Sequence, residues 1–174
     1  MIAVALSALL TFTPGGDVVP VQAPQLPQNV RENSRMWQEL MKLIPQLPPA
    51  FFEEQDTWGS GDFRGIDQNG VAQIGIRRGA PPSRFTVNHE AGHALVAQLG
   101  PQIMDTYWQV RGLPGTRQEW PKDTGNIPWL IPEEMFADDL GALVEPDDYE
   151  AYAQRATGVP YNRSVMDALY RGLR

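Results

Sequence analysis

The chain contains two histidines, and both fall in the stretch His89-Glu90-Ala91-Gly92-His93. Residues four apart share one face of a helix, so on a helix both imidazoles point the same way. Two imidazoles held like that can fill two corners of a tetrahedral zinc site. Glu90 then lies about a quarter of a turn round the helix. From there it can reach a metal-bound water without ligating the ion, the geometry that a base in metal-assisted hydrolysis needs.

The surroundings of the motif point to burial. No Lys or Arg occurs between Phe85 and Met104, and from Ala91 to Leu99 only His93 can carry charge. A helix that is apolar nearly all round is usually a buried one. Two buried imidazoles and a carboxylate need a compensating partner, and a divalent cation supplies it. The bland alternative is a chance HExxH whose histidines are hydrogen-bonded core residues. A suitable third ligand further along the chain argues against it.

A catalytic zinc takes three protein ligands and keeps one position open. With both histidines spent and no cysteine in the chain, the third ligand has to be Asp or Glu. The best segment is Pro132-Glu133-Glu134-Met135-Phe136-Ala137-Asp138. Pro132 takes the favoured first position of a helix expected to run to about Val144, and Glu133 and Glu134 sit where acids suit the dipole. Glu134 and Asp138 share a face. Glu134 can ligate while Asp138 accepts a hydrogen bond from the second ring nitrogen of a liganding histidine. Phe136, Leu140, Leu143 and Val144 form the core stripe. Glu133 lies nearer that stripe and is the competing inward carboxylate; the acid partner at i+4 favours Glu134.

A chain of 174 residues predicts one domain, here residues 29–174. Before it, Met1 to Phe12 is uncharged and apolar but too short to span a bilayer. It resembles the apolar core of a secretory signal, with Val21-Gln22-Ala23 as candidate cleavage site but no basic start. That reading predicts a secreted protein; the alternative is a buried N-terminal strand in a cytoplasmic one. Val18 to Gln28 is Pro/Gln-rich and reads as an extended linker, so residues 1–28 are expected to be signal and linker.

Arg31 to Ile44 predicts a helix with Met36, Trp37, Leu40, Met41 and Ile44 on one face, stopped by Pro45. Gln46 to Thr57 reads as a turn with a short helix. Gly61 to Arg78 predicts a β-hairpin turning at Asn69-Gly70, with Ala72, Ile74 and Ile76 on the buried face of its second strand. Ser83 or Thr86 can cap the histidine helix. Gly100 to Leu130 shows little periodicity and reads as a long connection forming a cleft wall. After Pro146, Asp147 to Ala156 is a further segment, and Tyr161 to Leu173 the last helix. The class is α+β. A net charge of −7 and a pI near 4.8 argue against nucleic acid or an anionic membrane as partner.

His-Glu-Ala-Gly-His-Ala-Leu followed by Glu-Met-Phe-Ala-Asp resembles the gluzincin metallopeptidases. It is most similar to the anthrax-lethal-factor-like branch, which includes the secreted Pro-Pro endopeptidases. The resemblance covers about Val71 to Val144. It implies a zincin-like catalytic domain, a small mixed or antiparallel sheet packed on an active-site helix and a glutamate helix. It further implies zinc held by His89, His93 and Glu134, with Glu90 as catalytic glutamate and Asp138 behind a histidine. That branch carries an oxyanion-stabilising tyrosine about two turns before the third ligand. Here the region reads Asn126-Ile127-Pro128-Trp129, so Tyr107, Tyr149 or Tyr152 would have to substitute, and Pro-Pro specificity does not carry over.

The function expected is zinc-dependent endopeptidase activity, with Glu90 assisting attack of a zinc-bound water. The partner is a peptide or protein in extended conformation, paired along the strand Val71 to Arg78 as a sheet edge. No nucleic acid and no stable membrane insertion are expected. Two rivals stand beside it: a catalytically inactive zincin acting as a binding or regulatory module, and an interaction protein with no metal.

Overall fold

Ala72, Ile74 and Ile76 make one face of a strand apolar, and in the computed structural model that strand is the middle of a three-stranded sheet. The structure describes residues 10–12, 18–20, 25–56, 59–116, 131–142 and 162–172. β1 (Leu10–Phe12) pairs antiparallel with β2 (Val18–Pro20). Then come α1 (Gln28–Leu43), β3 (Ala50–Gln55), β4 (Gly61–Ile66) and β5 (Ala72–Arg77). They are followed by α2 (Arg84–Leu99), α3 (Gln102–Arg111), α4 (Pro132–Ala142) and α5 (Arg163–Gly172). The sheet order is β3-β5-β4, with β3 parallel and β4 antiparallel to β5. The architecture is mixed α+β. No helix of the described residues is long and apolar enough to cross a membrane.

Apolar spacing places the core between sheet and helices. Trp37 of α1 is buried edge-on against Phe52 of β3, with ring centroids 5.6 Å apart, and its indole N–H donates to the Pro48 carbonyl at 2.8 Å. Ala72, Ile74 and Ile76 join them, as do Val87 and Leu95 of α2 and Phe136 and Leu140 of α4. Leu143 and Val144, the rest of the stripe expected on α4, lie outside the described residues, as do Val21–Ala23 and residues 147–156.

Four expectations need correction. The described residues of Gln46 to Thr57 hold no helix: Ala50–Gln55 is β3, whose residues pair in register with β5 from Ala50 opposite Ala72 to Gln55 opposite Arg77. The ladder outweighs the weak strand propensity of Glu53-Glu54-Gln55. Within Gly100 to Leu130, α3 buries Ile103, Met104, Tyr107 and Trp108. That spacing is helical, but the flanking Gly and Pro residues hid it. The strand Val71 to Arg78 is no sheet edge, because β5 is paired on both sides; β4 is the outer strand next to α2. The hairpin turn is also wider than a two-residue Asn-Gly turn. Gly70 has φ 75°, but among the described residues, Asn69 included, none other than glycine has positive φ, so a type I′ turn is ruled out. Instead Asp67 closes the loop, its carboxylate accepting from the Asn69 and Val71 amides at 2.8 and 3.0 Å.

Candidate metal centre

α2 carries the HExxH stretch into the core. Ser83 caps it, its hydroxyl accepting from the Thr86 amide at 3.1 Å, which satisfies one of the free first-turn donors. The helix stops at Gly100, whose N–H returns to the Val96 carbonyl. Glu90 is buried, and the two imidazoles are partly exposed on the neighbouring face. Each imidazole is backed by a phenyl ring: Phe85, one turn earlier, stacks on His89 at 6.1 Å, and Phe63 of β4 stacks on His93 at 6.3 Å.

Three glycines let neighbouring elements approach α2. A Cβ on Gly92 would stand 2.6 Å from the Cα of Ala137, so α2 and α4 meet nearly backbone to backbone. One turn on, a Cβ on Gly141 of α4 would strike the Phe85 ring. On the other side a Cβ on Gly61 of β4 would lie 2.6 Å from Glu90 Oε1. A glycine inside a helix costs about 0.5–1 kcal/mol relative to alanine. At Gly92 that cost purchases the approach that brings Glu134 and Asp138 to the histidines.

The donor atoms converge. One N or O atom from each of His89, Glu90 and His93 lies within 4.8 Å of the others, a group that could hold a metal ion. The two Nε2 atoms are 3.2 Å apart. Glu134 presents Oε2 to His89 Nε2 and Oε1 to His93 Nε2, each at 3.5 Å. Behind His89, Asp138 Oδ1 lies 2.9 Å from Nδ1, leaving Nε2 to face the cleft. Zinc bonds of about 2.0–2.1 Å in a tetrahedron give donor–donor edges of about 3.3–3.4 Å. The two Nε2 atoms, and each Nε2 with its own Glu134 oxygen, are separated by close to that distance, and His89, His93 and Glu134 stand together at the cleft. The cleft is about 290 Å³ and is lined by these three residues with Glu90, Gly61, Asp62 and Phe63.

Two carboxylates thus compete for the third ligand position, and their surroundings separate them. Glu90 accepts a hydrogen bond from the Phe63 amide, and its burial raises its pKa despite the nearby imidazoles. Glu134 is held down to about 2 by its hydrogen bonds to His89 and His93, so it stays ionised at any ordinary pH. Burial pulls His89 down, but hydrogen bonds to Asp138 and Glu134 and the Glu90 charge win and lift it to about 10. Without an ion, His89 is therefore an imidazolium between carboxylates; a metal ion would supply the same positive charge in place of the proton.

The remaining candidates fall elsewhere. Glu133 makes no ion pair with either histidine, in contrast to its neighbour. Tyr107 is fully buried, and its hydroxyl donates to Asp139 Oδ2 at 2.9 Å, so it is not an oxyanion donor in the cleft. Burial and the Asp139 charge push its phenol well above the usual value, keeping it a neutral donor. Tyr149 and Tyr152 lie outside the described residues, as does the Asn126–Trp129 region. Sequence reasoning missed Gly61 and Phe63 as cleft residues, and missed buried Asp139 with its Arg111 ion pair at 2.8 Å. Gly92 carried a readable signal, since a glycine inside an apolar helix usually has a packing reason.

No protein-family model, no curated protein and no solved structure matches the chain. The functional reading therefore rests on the site itself.

Proposed function

We propose that the chain is a zinc-dependent endopeptidase of gluzincin type, with a zincin-like arrangement of sheet, histidine helix and glutamate helix. His89, His93 and Glu134 would hold the ion, Asp138 would orient His89, and Glu90 would carry the proton. The observation that carries this reading is the convergence of the two Nε2 atoms, 3.2 Å apart, on the Glu134 carboxylate, whose two oxygens lie 3.5 Å from one imidazole each, separations near the donor–donor edges of tetrahedral zinc. Two imidazoles and one carboxylate also suit zinc better than the all-oxygen sets of magnesium or calcium. A bound zinc supplies a Lewis acid and lowers the pKa of water in the open position.

The chain's own residues supply the rest. Glu90 takes the proton of the attacking water and returns it to the leaving amine; its raised pKa suits a group that must both accept and release a proton. The Phe63 amide faces the carboxylate and favours its ionised form. Ser60 accepts from the Arg77 amide across the ladder, and hydrogen-bonded and open pairs alternate along an antiparallel ladder. The open pairs are then Gly61 with Ile76 and Phe63 with Ile74, so these two residues turn their backbone groups to the free edge beside Glu90. An extended peptide would add to that edge, β4, rather than to β5.

A specific observation keeps the inactive-module reading alive: with Tyr107 engaged by Asp139, no tyrosine lines the described cleft. Zinc analysis of the purified chain, with cleavage of an unfolded casein-type substrate, separates the readings. We expect one zinc per chain and cleavage that a chelator abolishes. Glu90→Gln should keep the zinc and lose most of the activity. Zinc with no cleavage of any peptide library would establish the binding module, and a parent chain that binds no zinc would overturn the metal centre.

A further inference from the structure

We propose that the buried cluster of Tyr107, Asp139 and Arg111 sets the rotation of α4 and thereby aims Glu134 and Asp138 at the histidines; this rests on the metal-centre reading above. Tyr107 and Arg111 are four apart on α3, so their side chains leave the same face. Both donate to one atom, Asp139 Oδ2, at 2.9 and 2.8 Å. All three side chains are buried, with Asp139 1% and Arg111 5% exposed. Asp138, the preceding residue, bonds His89 on α2. Consecutive carboxylates on α4 are therefore fastened to two different helices.

The α2–α4 contact does not specify that rotation by itself. Its closest approaches are Gly92 against Ala137 and Gly141 against the Phe85 ring, and apolar contact is non-directional. Small residues allow close approach without dictating which residue faces the histidines. A rotation of α4 by one position, about 100°, would replace Glu134 by Glu133 or Met135. Hydrogen bonds are directional, and two converging on one carboxylate oxygen resist such a turn. A buried ion pair is often no more stabilising than apolar side chains of the same volume. Its contribution here is orientation. Tyr107, Asp139 and Arg111 are positioning residues: none lines the cleft.

The test uses the full chain with Tyr107→Phe, which removes one hydroxyl, and Asp139→Asn, which keeps the volume. Val30→Ala on α1 serves as a control for general destabilisation. Three quantities are measured: Co2+ affinity by chelator competition, the visible spectrum of the Co2+-loaded chain, and melting of the metal-free chain. We expect Asp139→Asn to weaken Co2+ binding about tenfold, the lower end for partners that orient ligands directly, and to change the visible bands. Tyr107→Phe should move both in the same direction by less, while Val30→Ala lowers melting and leaves the spectrum alone. If both cluster variants bind Co2+ with parental affinity and spectrum, whatever their melting, the cluster is only structural and the inference fails alone. If Asp139→Asn does not fold, Tyr107→Phe decides by the same criterion. A parent chain that binds neither Co2+ nor Zn2+ would overturn the inference together with the metal centre.

Discussion

Glu133 and Glu134 are chemically identical neighbours, and geometry alone divides them. Glu134 has an oxygen 3.5 Å from each Nε2. Glu134→Ala should therefore lower zinc affinity more than any other change on α4. Asp138→Ala should cost about 10–100-fold, as for a partner that orients a ligand. Glu133→Ala should leave zinc affinity close to the parent's, because both imidazoles meet Glu134. Zinc titration of the three variants against a competing chelator checks the order, and loss of metal in Glu133→Ala alone would move the ligand by one residue. His89 adds a pH signature. Its raised pKa, about 10 in the ion-free chain, means that an incoming ion must expel a proton at neutral pH. Glu134, held near 2, releases none. Apparent affinity should then fall about tenfold per unit as pH drops below 10, down to the onset of further protonation. Calorimetry in buffers of different ionisation enthalpy would show the released proton.

At the scale of elements, the site depends on how closely α2 can be approached. Gly92→Ala sets two effects against each other. Alanine improves helix propensity by about 0.8–1.0 kcal/mol. The new Cβ, however, meets Ala137 Cα at 2.6 Å, and backbone cannot step aside without moving α4. Overpacking of this kind costs about 1–3 kcal/mol. The variant should be destabilised on balance, and its zinc affinity should fall because Glu134 moves with α4. A thermal melt in chelator and a metal titration check both; a Gly92→Ala chain that binds zinc like the parent would show that the crossing is not tight. Gly61→Ala strikes the opposite wall. Its Cβ would lie 2.6 Å from Glu90 Oε1 and 2.7 Å from Thr86 Cγ2, and both histidines and Glu134 are left untouched. The expected result is zinc retained and turnover reduced, read from metal content and kcat side by side.

For the whole molecule, the His89–Glu134 pair predicts how ion-free stability varies with pH. The folded His89 pKa, about 10, exceeds the ordinary 6.5. Its contribution is complete below about 6.5 and is lost as pH rises through about 10. The folded Glu134 pKa, about 2, lies below the ordinary 4.5. That contribution is present above about 4.5 and is lost as pH falls through about 2. In chelator, this pair should stabilise the chain most between about pH 4.5 and 6.5, and melting should decline toward pH 10. Saturating zinc replaces the His89 proton and should remove the alkaline decline. Melting curves across pH with chelator or zinc test this, and an equal decline in both would separate the effect from His89.

Much of this arrangement was written locally. The i, i+4 spacing of His89 and His93 made them face one way whatever the rest of the chain did, because helix geometry is a local property. The cap at Ser83, the alternation in β5, and the shared face of Glu134 and Asp138 were legible for the same reason. What could not be read were relations between segments distant in sequence. The partner of β3 is β5 in parallel, a ladder that turned an acidic stretch into a strand. β4 rather than β5 is the outer strand, since strand order follows from which edges remain unpaired. Tyr107, a plausible donor on paper, is consumed by Asp139, a residue 32 positions later. The choice between Glu133 and Glu134 stayed open in the sequence because both sit in the first turn of one helix. Only the packing of α4 against Gly92 on one side and α3 on the other decides which carboxylate meets the histidines.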